Sequence, residues 1–224
     1  MKSDFELSNF VIQSPYTITL ADKKAIEKAS NGNPQKEDWE KSTLKDFKGR
    51  VRQHYRDQQN DRCAYCRMDI SSATGSFHIE HIIPKSLHPE WMYNPKNLCV
   101  ACSNCNSAKY NDNVLSSDKY TNLPSHSSDY LIVHPHLDNY FEHIQIVDGL
   151  LYKGLTKKGK FTIKTCNLTR VGLLTERAKL LITKEQPPFS YSQIFITCTM
   201  NPQCIGNLDE LLEEIHKLLK RYGV

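Results

Sequence analysis

An α+β fold organised around a four-cysteine zinc core is what this sequence predicts, on three observations. Cys63-Ala-Tyr-Cys66 and Cys102-Ser-Asn-Cys105 are two pairs at metal-ligand spacing. A basic, amphipathic helical stretch runs directly into the first pair. Past the second pair a polar linker gives way to mixed strand and helix patterns. The chain divides accordingly into a helical N-terminal arm over 1–60, a chemical core over 61–115, and an α/β C-terminal region over 116–224.

The cysteines come first because they fix the core. A CxxC brings two thiolates to one ion, and two such pairs complete a tetrahedral site with no position left for water. The zinc is therefore structural, and any chemistry belongs to the residues it encloses. Cys99 and Cys102 form a competing pair. Cys102 with Cys105 is preferred because it mirrors Cys63/Cys66 and sets Asn106 beside the knuckle. Cys166, Cys198 and Cys204 read as buried, inert thiols. Eight cysteines in 224 residues would suit a disulfide scaffold, but the length, the metal spacing and the lack of a secretory leader argue otherwise. No apolar run is long enough to span a bilayer, so a cytoplasmic protein is expected. A net charge of +4 is compatible with nucleic acid without singling it out.

The elements follow in order. A short helix is expected over 22–29, ended by Asn31-Gly32-Asn33-Pro34. A longer one over 36–58 places Leu44, Phe47, Val51 and Tyr55 on one face. Lys41, Lys45, Lys48, Arg52 and Arg56 line the neighbouring face. Such a stripe suits a phosphate backbone, and it equally suits a solvated helix surface. Residues 77–83 read as a strand closed by Pro84, and a helix starts near Cys105. After the linker over 115–129, a strand is expected over 130–133. A hairpin should turn at Asp148-Gly149 between 144–147 and 150–153. Helices follow over 168–182 and 208–221. The last opens with a capping box from Asn207 to Glu210, and its leucine stripe suits either the core or a docked partner.

The enclosed residues have the composition of a hydrolytic site. Histidine, mostly neutral near pH 7, suits the task of taking a proton from water. A carboxylate and an amide oxygen suit a hard cation such as magnesium. Glu80 and His81 adjoin, so on a regular strand they point oppositely; a bend before Pro84 would let the imidazole face a phosphate while Glu80 and Asn106 hold the ion.

The runs "IEHIIPKS" and "NPKNLCVACSNCNSAK", with "CAYC" upstream, resemble the HNH endonucleases in their zinc-stapled form. The resemblance implies a ββα-metal core of two strands and a helix around one divalent metal, magnesium or manganese. It makes His81 the general base, Glu80 and Asn106 the metal ligands, and Asn97 the amide that fixes the histidine loop. Lys109 would sit near a substrate phosphate. His78, on the strand face of Glu80, would be a further ligand. The family more often carries Asp or His where this chain has Glu80, and His where it has Asn106. Beyond the core, "LIVHPHLDNYFEHI" and "FTIKTCNLTRVGLLTERAKLL" resemble the nuclease subunits of Septu-type and retron-associated anti-phage systems. That resemblance implies an ABC/SMC-like ATPase partner and a nucleic-acid substrate, DNA or RNA. His134, His136, Asp138 and His143 form a second polar cluster, suited to metal binding or to ordinary hydrogen bonding. Arg170 and Arg177 would share a helix face, for phosphate or for surface ion pairs. The rival reading is a non-catalytic zinc module that binds nucleic acid or a protein.

Overall fold

The computed structural model describes residues 10–70 and 77–183. Cys198, Cys204 and the helix expected over 208–221 lie outside them. The described part is α+β, and its centre is the ββα unit. Strand β1 (Phe77–His81) pairs antiparallel with β2 (Leu98–Cys102), in register from Phe77↔Cys102 to His81↔Leu98. Helix α3 (Ser103–Lys109) leaves the end of β2 directly, and the Cys102 sulfur accepts from the Cys105 amide as its cap.

The outer edge of β2 is closed by a side chain. Gln59 donates from Nε2 to the Val100 carbonyl and accepts the Val100 amide at Oε1, both at 2.8 Å. One amide side chain thus satisfies two buried backbone groups that a third strand would otherwise take. It also ties the end of helix α2 (Lys45–Gln58) to the sheet.

Phe47, Val51 and Tyr55 of α2 are fully buried, as the periodicity predicts, but the single helix over 36–58 is broken. Two 3₁₀ turns, Lys36–Glu40 and Ser42–Leu44, precede α2, and Lys41 is extended between them at ψ 138°. The Asp38 carboxylate binds the Gln35 amide and the Lys41 ammonium, which closes the first turn on itself and sends Trp39 inward. Ahead of it, α1 (Leu20–Ser30) starts at Thr19, whose hydroxyl accepts from the Asp22 amide. It stops at Asn31 in the left-handed region.

Beyond the core, the expected strand over 130–133 is only a bridge, Leu115↔Tyr130. The Val133 amide goes instead to the Thr162 hydroxyl. That threonine belongs to α5 (Lys157–Thr165), a helix that the lysine-rich sequence does not announce. The hairpin of β3 (Ile144–Val147) and β4 (Leu151–Gly154) forms as read, with Asp148 at φ 50° and Gly149 at φ 67° supplying the left-handed pair such a turn requires. Its base presses α5 so closely that a Cβ on Gly159 would lie 1.9 Å from the His143 carbonyl oxygen. Between the strands and the bridge, α4 (Tyr140–His143) is a single turn capped by Asn139, and α6 (Val171–Thr183) closes the described chain. One hydrophobic cluster runs from Phe10 to Leu173 through arm, core and C-terminal region. No helix among the described residues is long and apolar enough to cross a membrane.

Candidate active site beside a zinc knuckle

The sulfurs of Cys63, Cys66, Cys102 and Cys105 all lie within 4.8 Å of one another. Zinc–sulfur bonds of about 2.3 Å in a tetrahedron put neighbouring sulfurs about 3.8 Å apart. Cys66 and Cys102 are 3.8 Å apart, at that spacing, so the set is suited to zinc. Cys99 is fully buried on β2, outside the cluster, which settles the choice between the two pairs. The Cys102 sulfur is held far below an ordinary thiol pKa by hydrogen bonds from Cys105, Cys63 and Cys66.

The C-terminal region grips this knuckle. Tyr140 donates its hydroxyl to the Tyr65 carbonyl at 2.7 Å, and Tyr152 donates to the Cys66 carbonyl at 2.5 Å. Arg177 is buried and reaches the same Cys66 carbonyl at 2.6 Å. Arg170 lies 3.5 Å from the Cys105 sulfur and 3.9 Å from that of Cys102. Four thiolates around zinc carry excess negative charge, and Arg170 offsets part of it. The two arginines, read as sharing a helix face for phosphate or for surface ion pairs, both serve the knuckle.

Next to the knuckle opens a cleft of about 270 Å³. Its walls are Trp39 and Glu40 from the first 3₁₀ turn, Lys48 and Arg52 from α2, His78, Ile79 and His81 from β1, Lys85, and Asn106 from α3. Six of these nine are residues that the motifs did not single out or did so only as part of the basic stripe: Trp39, Glu40, Lys48, Arg52, Ile79 and Lys85. Trp39, Glu40 and Lys85 carried no sequence signal for this role.

His81 lines the cleft with 6% of its surface exposed. Its Nε2 lies 3.2 Å from the Met92 carbonyl oxygen. A carbonyl only accepts, so Nε2 carries the proton and Nδ1 keeps the lone pair. Burial, helped by the nearby Lys85 and Lys109 charges, lowers its pKa to about 3, which keeps the ring neutral. Asn97 fixes the loop that bears Met92. Its Oδ1 accepts the Ile83 amide at 2.7 Å, and its Nδ2 donates to the Ile83 and Trp91 carbonyls.

Glu80 faces the other way, as strand alternation demands. It is buried, and its Oε1 takes the Lys109 ammonium at 2.8 Å and the Tyr65 hydroxyl at 3.2 Å. Burial pushes its pKa up, and Lys109 works against the rise. Lys109 is wholly buried between Glu80 and the His81 carbonyl, 3.0 Å away. The expectation that Lys109 meets a substrate phosphate is corrected: its charge is consumed inside the core.

The basic stripe is likewise divided. Lys48 and Arg52 line the cleft, and Lys45 is exposed on the same helix. Lys41 is engaged with Asp38 and the Ala29 carbonyl, while Arg56 pairs with Asp61 at 2.5 Å and stacks over Phe77. The second histidine cluster holds structure together. His136 Nε2 lies 2.7 Å from the Leu98 carbonyl, His143 Nδ1 lies 2.8 Å from the Thr156 hydroxyl, and Asp138 pairs with Lys158. Among the described residues only the four cysteines form a His/Cys/Asp/Glu group of metal-binding size.

Residues 63–112 match the model of the HNH endonuclease family. The chain is also 27% identical over 128 residues to the Septu protein PtuB of Bacillus thuringiensis. That alignment covers 57% of this chain and 44% of the relative, so the chain matches less than half of the relative's length. The matched family segment holds the zinc ligands, both strands and α3. The cleft wall made by Trp39, Glu40, Lys48 and Arg52 lies outside it.

Proposed function

We propose that this chain, which carries an HNH endonuclease domain at its centre, is a metal-dependent endonuclease of anti-phage defence that hydrolyses the phosphodiester bonds of nucleic acid. DNA is the favoured substrate, with RNA the alternative. The observation that carries the reading is His81, whose ring bonds the Met92 carbonyl through Nε2 and keeps an unprotonated Nδ1 at a cleft lined by Lys48, Arg52, Lys85 and Asn106.

The donor set is chemically suited to a divalent cation. Asn106 and His78 line the cleft; Glu80 is buried outside its lining with both of its bonds on Oε1, so Oε2 is the atom through which it would join them. Glu80, Asn106 and His78 would hold magnesium or manganese, which supplies positive charge for the phosphate and the departing 3′ oxygen. Arg52, with Lys48 and Lys85 once these leave the Trp39 carbonyl and Glu40, would meet the phosphate backbone in the cleft. His81 Nδ1 takes a proton from a water as that water attacks phosphorus in line, and the 3′ oxygen leaves. The anionic phosphodiester beside the ring raises the proton affinity that burial has lowered. The products carry 5′-phosphate and 3′-hydroxyl ends.

The test is cleavage of plasmid DNA and of bulk RNA with magnesium, manganese or EDTA, beside His81→Gln. Metal-dependent cutting that disappears in the variant is the expected result. Wild-type cutting by His81→Gln overturns the base assignment. Binding of either polymer without cutting, unaffected by EDTA, favours a non-catalytic zinc module. By its similarity to a Septu protein, we further propose that the chain acts in the cytoplasm. There an ABC/SMC-like ATPase gates it by docking on the 116–224 region. Cutting that appears only with a co-purified ATPase supports gating, and equal cutting without one rejects it.

A further inference from the structure

We propose that Trp39, outside the segment matched to the HNH family, is a positioning residue that holds the His81 ring in its working orientation. The inference rests on His81 being the base.

One hydrogen bond does not fix an imidazole. With Nε2 on the Met92 carbonyl at 3.2 Å, the ring can still swing about that contact, and Nδ1 moves with it. Trp39 removes the freedom. Its ring meets that of His81 at 4.4 Å between centroids and 77° between planes, an edge-to-face contact. The indole cannot yield, because it is itself held on several sides. Its backbone carbonyl accepts from the Lys48 ammonium at 2.9 Å, and Phe47 and Tyr93 each pack against the ring at 6.1 Å. The turn that carries it is closed by the Asp38 carboxylate on the Gln35 amide. Trp39 is 6% exposed and yet forms a wall of the cleft. Backbone far from the histidine in sequence is therefore folded so that one large side chain ends on it. A displaced base costs far more rate than binding, up to about 100-fold for a shift of roughly 1 Å.

The experiment compares wild type, Trp39→Leu, Trp39→Phe and His81→Gln in the full chain with zinc bound. Single-turnover cleavage at saturating substrate, substrate affinity and the His81 ring signals in proton–carbon NMR are measured for each. His81 is assigned by the signals missing from His81→Gln. Trp39→Leu is expected to cut about 10- to 100-fold more slowly at unchanged affinity, with the His81 signals moved by loss of the indole ring current. Trp39→Phe, which keeps an aromatic face, should recover most of the rate. The proposal is overturned if Trp39→Leu cuts at the wild-type rate while His81→Gln is inactive. It is equally overturned if the loss lies wholly in affinity, or if the His81 signals stay put. Wild-type cutting by His81→Gln removes the base reading itself, a separate failure. Should Trp39→Leu lose zinc or melt early, Trp39→Met takes its place against Trp39→Phe, and equal rates for those two reject the proposal.

Discussion

Asn97 offers the sharpest test of how the loop over 82–97 is held. Replacing it with alanine strips partners from three buried backbone groups: the Ile83 amide, bonded at 2.7 Å, and the Ile83 and Trp91 carbonyls, at 3.1 and 3.3 Å. A buried polar group left unpaired costs about 1–3 kcal/mol. Some relaxation is expected, so the sum is about 3–6 kcal/mol, against a typical total stability of about 5–15 kcal/mol. The melting temperature should fall by on the order of 10 °C. Urea titration followed by tryptophan fluorescence measures it, with the midpoint moving and the slope unchanged. Asn97→Asp keeps the shape and the acceptor, but it turns an oxygen toward two carbonyls and should do no better than alanine. Cleavage per folded molecule should fall as well, because Trp91 adjoins Met92, whose carbonyl orients His81. An alanine variant within about 1 kcal/mol of wild type would refute the reasoning, since that matches a group exposed to water rather than three bonds in the core.

Lys109→Met should destabilise the fold by about 3–5 kcal/mol by stranding Glu80, and Lys109→Met with Glu80→Gln should recover part of it; loss of substrate affinity at unchanged stability would mean the lysine works on phosphate after all. Acid should weaken the fold through its buried neutral histidines. His81 is lowered to about 3 and His136 to about 4, chiefly by burial, and His134 lies well below its usual value for the same reason. The unfolded chain gains these protons below pH about 6.5 and the folded chain does not. Stability present above that pH is therefore lost as pH falls toward 4, by roughly 1.4 kcal/mol per pH unit for each histidine; a flat melting temperature between pH 6.5 and 4.5 would contradict this. Arg170→Ala should speed zinc loss to a chelator by about 10-fold or more, with Arg170→Lys intermediate, and an unchanged rate would show that the guanidinium does nothing for the thiolates.

What the sequence discloses is what local spacing can encode. The two cysteine pairs, the hairpin turn and the buried face of α2 each depend on residues a few positions apart, and the four-cysteine cluster, the turn and the face are found as read. The order of Glu80, His81, Asn97 and Asn106 also points to the right part of the chain. Missed were features decided by long-range partners. The Lys109–Glu80 bridge spans a strand and a helix, and a lysine one turn past an asparagine looks the same whether it faces solvent or the core. The break at Lys41 has a local cause in the Asp38 carboxylate, but helical periodicity runs through it undisturbed. The second histidine cluster has ligand chemistry by composition. Only the fold shows His136 and His143 spent on a carbonyl and a hydroxyl.

The matched HNH segment is not self-sufficient in this fold, and the reason lies in its buried backbone. The segment turns at Cys63–Cys66 to bring both sulfurs to the cluster, and the Tyr65 and Cys66 carbonyls of that turn take partners from outside the segment. Both are satisfied by side chains from beyond residue 139: Tyr140 on the first, Tyr152 and Arg177 on the second. On the opposite side the cleft borrows Trp39, Lys48 and Arg52 from the arm. The core is therefore gripped between two outer regions, one holding the four-cysteine knuckle and the other packing on His81. Asn106 follows Cys105 directly, and Arg170 of the C-terminal region touches the Cys105 sulfur. A displacement of the segment carrying Arg170 and Arg177 would reach the cleft through two contacts, with no need to move β1 or His81. That would give the proposed partner on the C-terminal region a short mechanical route to Asn106, while His81 stays packed against Trp39 and bonded to the Met92 carbonyl.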